Sequence, residues 1–327
     1  MPPTLRVANT ARNLSHVIFL FHLGWKREHV TTPINAFWWS PRRDLRALAH
    51  ELRDHAPAWS RLALGRGRAF TNHGDELSEL VLTEALGRRV RWAPLGREDV
   101  VAIGSAIVPY LTRGGVGQIW GTGLHTPDVP ADRAAAVRDR VLAIRGPLAR
   151  AALGLPESTQ IGDPGLLVRS LRPGLPRERR RGTVLVSHFT SHMTAVERRT
   201  ISAICSTGVR LLPPTLTPAD MLAELGAAEH VMSAGMHGVI LAHSLRTPAT
   251  LVSLKSPAAT EAAFKYHDYH QSVGLDIHPT PWTSVLDADG RHAARERGER
   301  DLAIADARID ELVEGLFRSA APLRSGH

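Results

Sequence analysis

Residues 229–245 read EHVMSAGMHGVILAHSL. An apolar run through Val231 to Ser233 fits a buried strand, the small residues after it fit a turn, and helical spacing starts near Met236. A strand that passes through a tight turn into a helix is half of a βαβ unit, the unit from which parallel sheets are built. Gly235 and Gly238 let the backbone come close to a neighbour or ligand. The new helix presents free N–H groups and the positive end of its dipole, a combination that attracts anions. His237 stands at that point, where an imidazole can donate to a phosphate or exchange protons near neutral pH. The same pattern also suits a histidine satisfied inside the turn, so the segment fixes strand–turn–helix and leaves the role of His237 open. Ser233 and Gly238 share the turn and are candidate ligand contacts.

The pattern repeats outward in both directions. GTVLVSHF (182–189), GVRLLP (208–213) and PATLVSL (248–254) read as further strands, with helical stretches near 194–205, 218–227 and 236–245. Upstream, DVVAIGS (99–105) and GQIWGTG (117–123) read as buried strands ending in glycine turns. DELSELVLTEALG (75–87) has helical spacing, with Leu77, Leu80, Val81 and Leu86 on or near one face and Gly87 as the stop. Residues 132–153 suggest a second helical region interrupted at Arg145-Gly146-Pro147. The clearest break is RSLRPGLPRERRRG (169–182), which has turn residues, a run of arginines and no hydrophobic period. It reads as a solvated connector, or as a basic patch that meets an acidic membrane surface. The expected organisation is an N-terminal Rossmann-like domain over 1–170, a linker over 171–182, and a C-terminal Rossmann-like domain over 183–327. An amphipathic helix near 300–318 carries Leu302, Ile309, Leu312, Val313 and Leu316 on one stripe. Residues 1–40 give no clear pattern.

The chain of 327 residues suits two domains of about 150 residues each. It carries 40 Lys+Arg against 32 Asp+Glu, a formal charge of +8, and Lys26, Lys255 and Lys265 are its only lysines. An arginine excess fits anionic ligands, or reflects a genome-wide arginine bias. Dispersed arginines and 5% aromatics argue against a nucleic-acid binder, the third class weighed. Cys205 is the single cysteine, so there is no disulfide framework and no cysteine-based zinc site. The run HVIFLFHLGW (16–25) is too short for a membrane span and lacks a cleavage pattern, so a cytoplasmic enzyme is the default expectation.

Open parallel sheets bind ligands at the carboxyl ends of their strands. Those junctions offer Asn72 or His73 as a helix cap, Asp75 in that helix's first turn, Ser105 after VVAIG, Arg145 before a Gly-Pro helix start, Asp163 in a turn, and His188 at the end of VLVS. FKYHDYHQSVG (264–274) crowds Lys265, His267, Asp268 and His270, but neither this spacing nor that of His188 and His192 matches a metal site. No G-x-G-x-x-G joins a strand to a helix and no Walker A lysine is present, so NAD and ATP have no support.

In order, NHGDELS, VVAIGSAI, IWGTGL, IRGPLAR, GDPGLLV, VSHF, SAGMHGVILAHSLRTPATLV and FKYHDYHQSVG resemble the polysaccharide pyruvyl transferase family over residues 70–275. The resemblance implies a glycosyltransferase-B-like pair of Rossmann-like domains facing a cleft. It implies transfer of a pyruvyl group from phosphoenolpyruvate onto two sugar hydroxyls as a cyclic ketal, with phosphate released and no cofactor. The acceptor would be a sugar or a lipid-linked oligosaccharide, which would bring the protein to the inner face of the membrane without anchoring it. Residue by residue, His237 matches the motif histidine as general acid/base and Arg145 the donor's carboxylate or phosphate clamp, with Lys265 as a second cation. His188, Asn72, Asp75 and Ser105 match cleft residues. Many relatives carry an arginine two residues before that histidine and others a serine; here the position is Gly235, so Arg145, Lys255 or Lys265 would have to supply the charge. The competing expectation is a glycosyltransferase of the same architecture that uses a nucleotide-sugar donor.

Overall fold

The apolar runs pair into two sheets in which every pairing is parallel. The computed structural model describes residues 32–175, 180–254 and 263–325. The HVIFLFHLGW run, residues 176–179 of the expected linker and Lys255 lie outside the described residues. The first sheet contains β1 (Ile34–Phe37), β2 (Val90–Trp92), β3 (Val100–Val101), β4 (Gln118–Trp120), β5 (Val141–Ile144) and β6 (Gln160–Ile161), in the order β2-β1-β3-β4-β5-β6. The second contains β7 (Thr183–Val186), β8 (Arg210–Leu212), β9 (His230–Ser233), β10 (Ala249–Ser253) and β11 (Thr280–Pro281), in the order β11-β10-β9-β7-β8.

Both sheets are wound alike. In each, the first strand in the chain lies between the second and the third. The direction of winding therefore reverses between β1 and β3 in one sheet and between β7 and β9 in the other. Helices leave such a point in opposite directions and open a crevice above the strand ends, where ligands bind. The result is two Rossmann-like α/β halves facing a cleft, the glycosyltransferase-B-like arrangement.

Local chemistry explains the helices that frame the cleft. His73–Leu86 starts where Asn72 Oδ1 accepts the Gly74 N–H at 3.0 Å, carries Asp75 and Glu76 in its first turn, buries Leu77, Val81 and Leu82, and ends at Gly87 with φ 64°. Ala195–Cys205 is opened by a reciprocal capping box between Thr194 and Glu197, and Pro218–Gly226 by the Thr217 cap and a first-turn proline. Cys205 is partly buried against the second half's core.

Two expectations change. The region 132–153 is not a broken helix, because Val141–Ile144 is strand β5, paired on both sides by β4 and β6. A four-residue apolar run between the 3-10 turn Arg138–Arg140 and Arg145-Gly146 suits a central strand as well as it suits a helix, and sheet pairing decides between them. The long amphipathic helix expected near 300–318, which a short helix, Ala321–Ser325, follows, runs from Ala288 to Ser319, starting well before 300. Its first turns, ADGRHAARERGER, lack an apolar stripe. They are stitched by i,i+4 pairs such as Arg295–Glu299 at 2.9 Å and His292–Glu296 at 3.3 Å.

This helix spans both halves. Gly298 lies against the Ala249 backbone of β10, while Leu312 and Leu316 pack over Gly162, just past β6. Trp120 Nε1 donates to Leu316 O at 3.3 Å and to Ser319 Oγ at 3.1 Å. The described residues from Thr32 onward form one compact unit whose main core draws on both sheets. Among the described residues, no helix is long and apolar enough to cross a membrane.

Candidate active site

Both winding reversals open into one cavity of about 270 Å³. Its walls are Phe37 and Trp39 beyond β1, Gly104 to Ala106 beyond β3, Val186 to Phe189 beyond β7, and Gly235 to Gly238 beyond β9. Asn72, His73 and Asp75 enter from the start of the His73–Leu86 helix, and Lys265 from the Ala263–Ser272 helix. Seven residues singled out in the sequence (Asn72, Asp75, Ser105, His188, His237, Gly238 and Lys265) are brought together here.

Two glycines make room for two ionisable groups. A Cβ on Gly74 would collide with the His237 ring at Nδ1, and a Cβ on Gly104 would meet Asp75 Oδ1. Gly104 also has φ 100°, so the position needs glycine for backbone and space alike. Across this arrangement the two groups are driven to opposite protonation states. Burial, with His73, Lys265, Arg145 and His188 nearby, holds His237 well below the usual imidazole value, so it is neutral at pH 7. Its Nε2 is buried and has no hydrogen-bond partner among the described residues. Burial pushes Asp75 up to about 8, with Glu76 adding to the rise and Lys265 opposing it, so the carboxyl is largely protonated at pH 7. His73, 4% exposed, approaches Pro214 O through Nδ1 at 3.3 Å and is pushed down to about 4 by burial.

Arg145 is placed differently from its expected role. It does not reach into the cleft. Its side chain is fully buried behind the wall, with Nε 3.2 Å from Asp268 Oδ2, one terminal nitrogen 2.9 Å from Ser105 Oγ and 3.4 Å from Gly104 O, and the other 2.6 Å from Leu124 O. Those partners take four of its five N–H donors, and it is Ser105 that faces the cavity. Asp268 Oδ1 accepts the Ala149 N–H at 2.9 Å, so the pair braces the first sheet against the Ala263–Ser272 helix. Ser233 is also buried: its hydroxyl donates to Gly235 O at 2.6 Å and shapes the turn, and the missing Cβ of Gly238 gives it room. His188 Nδ1 lies 2.8 Å from Thr190 Oγ1 and accepts the Thr190 N–H at 3.4 Å, which favours a proton on Nε2. Lys265 is 6% exposed, with Nζ 5.1 Å from the Tyr266 ring. Asp163 is the turn-former its sequence suggests, with Oδ1 accepting the Gly165 N–H at 2.8 Å. Its other oxygen is buried without a partner, and burial raises the carboxyl to about 6.

Sequence reading missed the aromatic wall. Trp39 and Phe189 line the cavity from opposite halves and stack at 6.2 Å, backed by Trp59 at 5.4 Å from Phe189. The adjacent tryptophans 38 and 39 were a signal, but they sit in a stretch with no legible period. Among the described residues, no three His, Cys, Asp or Glu are grouped so as to hold a metal ion.

The model of the family described as polysaccharide pyruvyl transferase matches residues 30–256. The chain belongs to the polysaccharide pyruvyl transferase family. Every cavity-lining residue except Lys265 lies inside the family region. A relative, the succinoglycan biosynthesis protein ExoV of Rhizobium meliloti (strain 1021), is 28% identical over 140 residues. That match covers 42% of this chain and 42% of ExoV, so the chain spans less than half the length of this relative. Among solved structures, a putative UDP-N-acetylglucosamine 2-epimerase from Listeria monocytogenes aligns with a TM-score of 0.47 at 11% identity, covering 90% of this chain and 96% of that one.

Proposed function

We propose that this member of the family transfers the pyruvyl group of phosphoenolpyruvate onto two hydroxyls of a sugar in a polysaccharide or its lipid-linked precursor. The product is a cyclic ketal, and phosphate leaves. The observation that carries the proposal is one cavity that brings Asp75 and His237 together beside Lys265 and the start of the nine-residue helix Met236–Ser244, with burial raising the carboxyl and lowering the imidazole. Groups driven apart in this way take the acid and base roles of a reaction run at neutral pH.

The chemistry distributes over these residues with its protons balanced. Asp75 gives its proton to the methylene carbon, the C=C π bond breaks, and the adjacent carbon becomes oxocarbenium-like. The first sugar hydroxyl attacks that carbon and loses its proton to His237. The second hydroxyl then forms its C–O bond as the bond to phosphate breaks. Its proton restores Asp75, and His237 returns the first proton to the departing phosphate. Lys265 and the free N–H groups of the helix start supply positive potential for the donor's carboxylate and phosphate. Ser105, held by Arg145, offers a hydroxyl to the same space. Such chemistry needs no metal or organic cofactor, and a lipid-linked acceptor would place it at the inner face of the membrane.

The test is phosphate release by the purified chain given phosphoenolpyruvate and a panel of sugar acceptors, together with thermal shift. Stabilisation by phosphoenolpyruvate and acceptor-dependent phosphate release are expected. Stabilisation by UDP- or GDP-sugars with none by phosphoenolpyruvate would instead favour the nucleotide-sugar glycosyltransferase.

A further inference from the structure

The helix Leu45–Asp54 is turned inside out. Its glutamate, Glu51, is 5% exposed, accepts the Trp59 Nε1–H at 2.8 Å and meets His55 Nδ1 at 2.8 Å. Two of its three leucines face solvent instead: Leu45 is 80% exposed and Leu52 50%, while Leu48 is half-buried. Leu45, Ala49 and Leu52 stand at i, i+4 and i+7, so the exposed apolar positions form one stripe. Arg46, His50 and Arg53, all exposed, form the adjoining stripe. Leu64, 91% exposed, follows the next helix, Ala56–Leu62. A fold that buries Glu51 and leaves Leu45, Leu52 and Leu64 in water presents them to a partner surface.

The charge of the segment says what that is. Between residues 42 and 68 there are seven arginines (42, 43, 46, 53, 61, 66 and 68) against Asp44, Glu51 and Asp54. Arg43, Arg53 and Arg66 are paired with Glu79, Asp54 and Glu224, whereas Arg42, Arg46, Arg61 and Arg68 make no ion pair among the described residues. A second copy of the chain would bring the same arginines face to face. A bilayer rich in anionic headgroups would instead pair with the guanidinium groups while the leucines enter the acyl boundary.

We propose that the 42–68 segment is the surface by which this protein docks on an anionic lipid membrane. The segment also borders the active site. Glu51 lines the cavity, and Asp44, the cap of the inside-out helix, is bonded to the cavity residue Arg113 at 2.6 Å. Docking there holds the cavity mouth close to the headgroup layer, where a lipid-linked sugar is presented. Only the identity of that cargo rests on the proposed function; adsorption itself is independent of donor and acceptor.

The experiment is co-sedimentation of the full chain with vesicles of phosphatidylglycerol and phosphatidylcholine mixed, and of phosphatidylcholine alone, at low and high salt. Binding to the anionic vesicles, weakened by salt, is expected. The Leu45→Glu/Leu52→Glu/Leu64→Glu variant should bind at least tenfold more weakly, while keeping its circular dichroism and its phosphate release with a water-soluble acceptor. Wild-type binding by that variant, equal binding to both vesicle types, or no binding at low salt would overturn the proposal. So would a concentration-dependent dimer that the three substitutions abolish. If the wild-type chain releases no phosphate from phosphoenolpyruvate yet sediments with anionic vesicles, the proposed activity falls and the docking surface stands.

Discussion

The junctions β9–His237 and β5–Arg145 look alike in sequence: an apolar strand, a small-residue turn carrying a polar group, and a helix start. In the folded chain they do opposite work. The His237 ring lies in the cavity with a buried nitrogen that has no partner among the described residues, while the Arg145 guanidinium is enclosed by Ser105, Leu124, Gly104 and Asp268. An unsatisfied buried donor or acceptor costs stability unless a ligand meets it, and His237 carries one in a residue that lines the cavity. A cation enclosed by protein partners outside the cavity serves the scaffold. The second junction positions what the first one uses.

That contrast makes different demands on the two residues. His237→Ala should lower phosphate release by on the order of 10³-fold while leaving urea unfolding close to wild type. Near-wild-type turnover would remove His237 from the mechanism. Arg145→Met should do the reverse, costing about 3–5 kcal/mol in urea titrations because Asp268 is left charged and buried. Adding Asp268→Asn should recover part of that loss. If Arg145→Met is fully stable and only raises KM for phosphoenolpyruvate, the arginine is a clamp after all.

Stability against pH should sharpen the comparison, since the groups around His237 titrate within reach. The folded value of Asp75, about 8, lies above the 3.8 of an ordinary aspartate, so the folded chain holds this proton more tightly. The stability it lends is complete at low pH and is lost as pH rises from about 4 to about 8. The urea midpoint of Asp75→Asn should therefore gain on wild type across that window and level off above it. His73 and His230, at about 4, and His243, at about 3, have the opposite sign: their contribution is present above pH 6.5 and lost as pH falls toward those values. The smallest expected effect is at Gly235. Its φ of −119° suits any residue, and a Cβ there would meet only His188, at 3.6 Å. Gly235→Arg should fold normally and lower KM for phosphoenolpyruvate several-fold, since it adds the cation that many relatives carry at that position.

Strands β7 to β10 of the second sheet, and β3 and β4 of the first, were legible because each apolar run ends in a glycine, proline or serine turn; the short strands β1, β2, β6 and β11 carry no such pattern. The His73–Leu86 helix was legible from its cap and Gly87. Strand β5 was not, since Val141–Ile144 is too short for periodicity to separate strand from helix. The role of Arg145 was hidden because its partner Asp268 lies 123 residues away, and only folding joins them. The Leu45–Asp54 helix escaped notice for a different reason: it exposes what a helix normally buries. The opposite protonation states of Asp75 and His237 come from burial against Gly104 and Gly74, a property of packing that no local motif carries.

The division of labour between Asp75 and His237 is tested most directly by running the reaction in deuterium oxide with phosphoenolpyruvate and an acceptor, and recording the product's methyl group by NMR. An exchangeable acid at Asp75 delivers one deuteron, so a CH2D ketal with release of one phosphate is expected, and Asp75→Asn should suppress both together. Unchanged phosphoenolpyruvate in the wild-type reaction, or full turnover with the same CH2D product in Asp75→Asn, would contradict it.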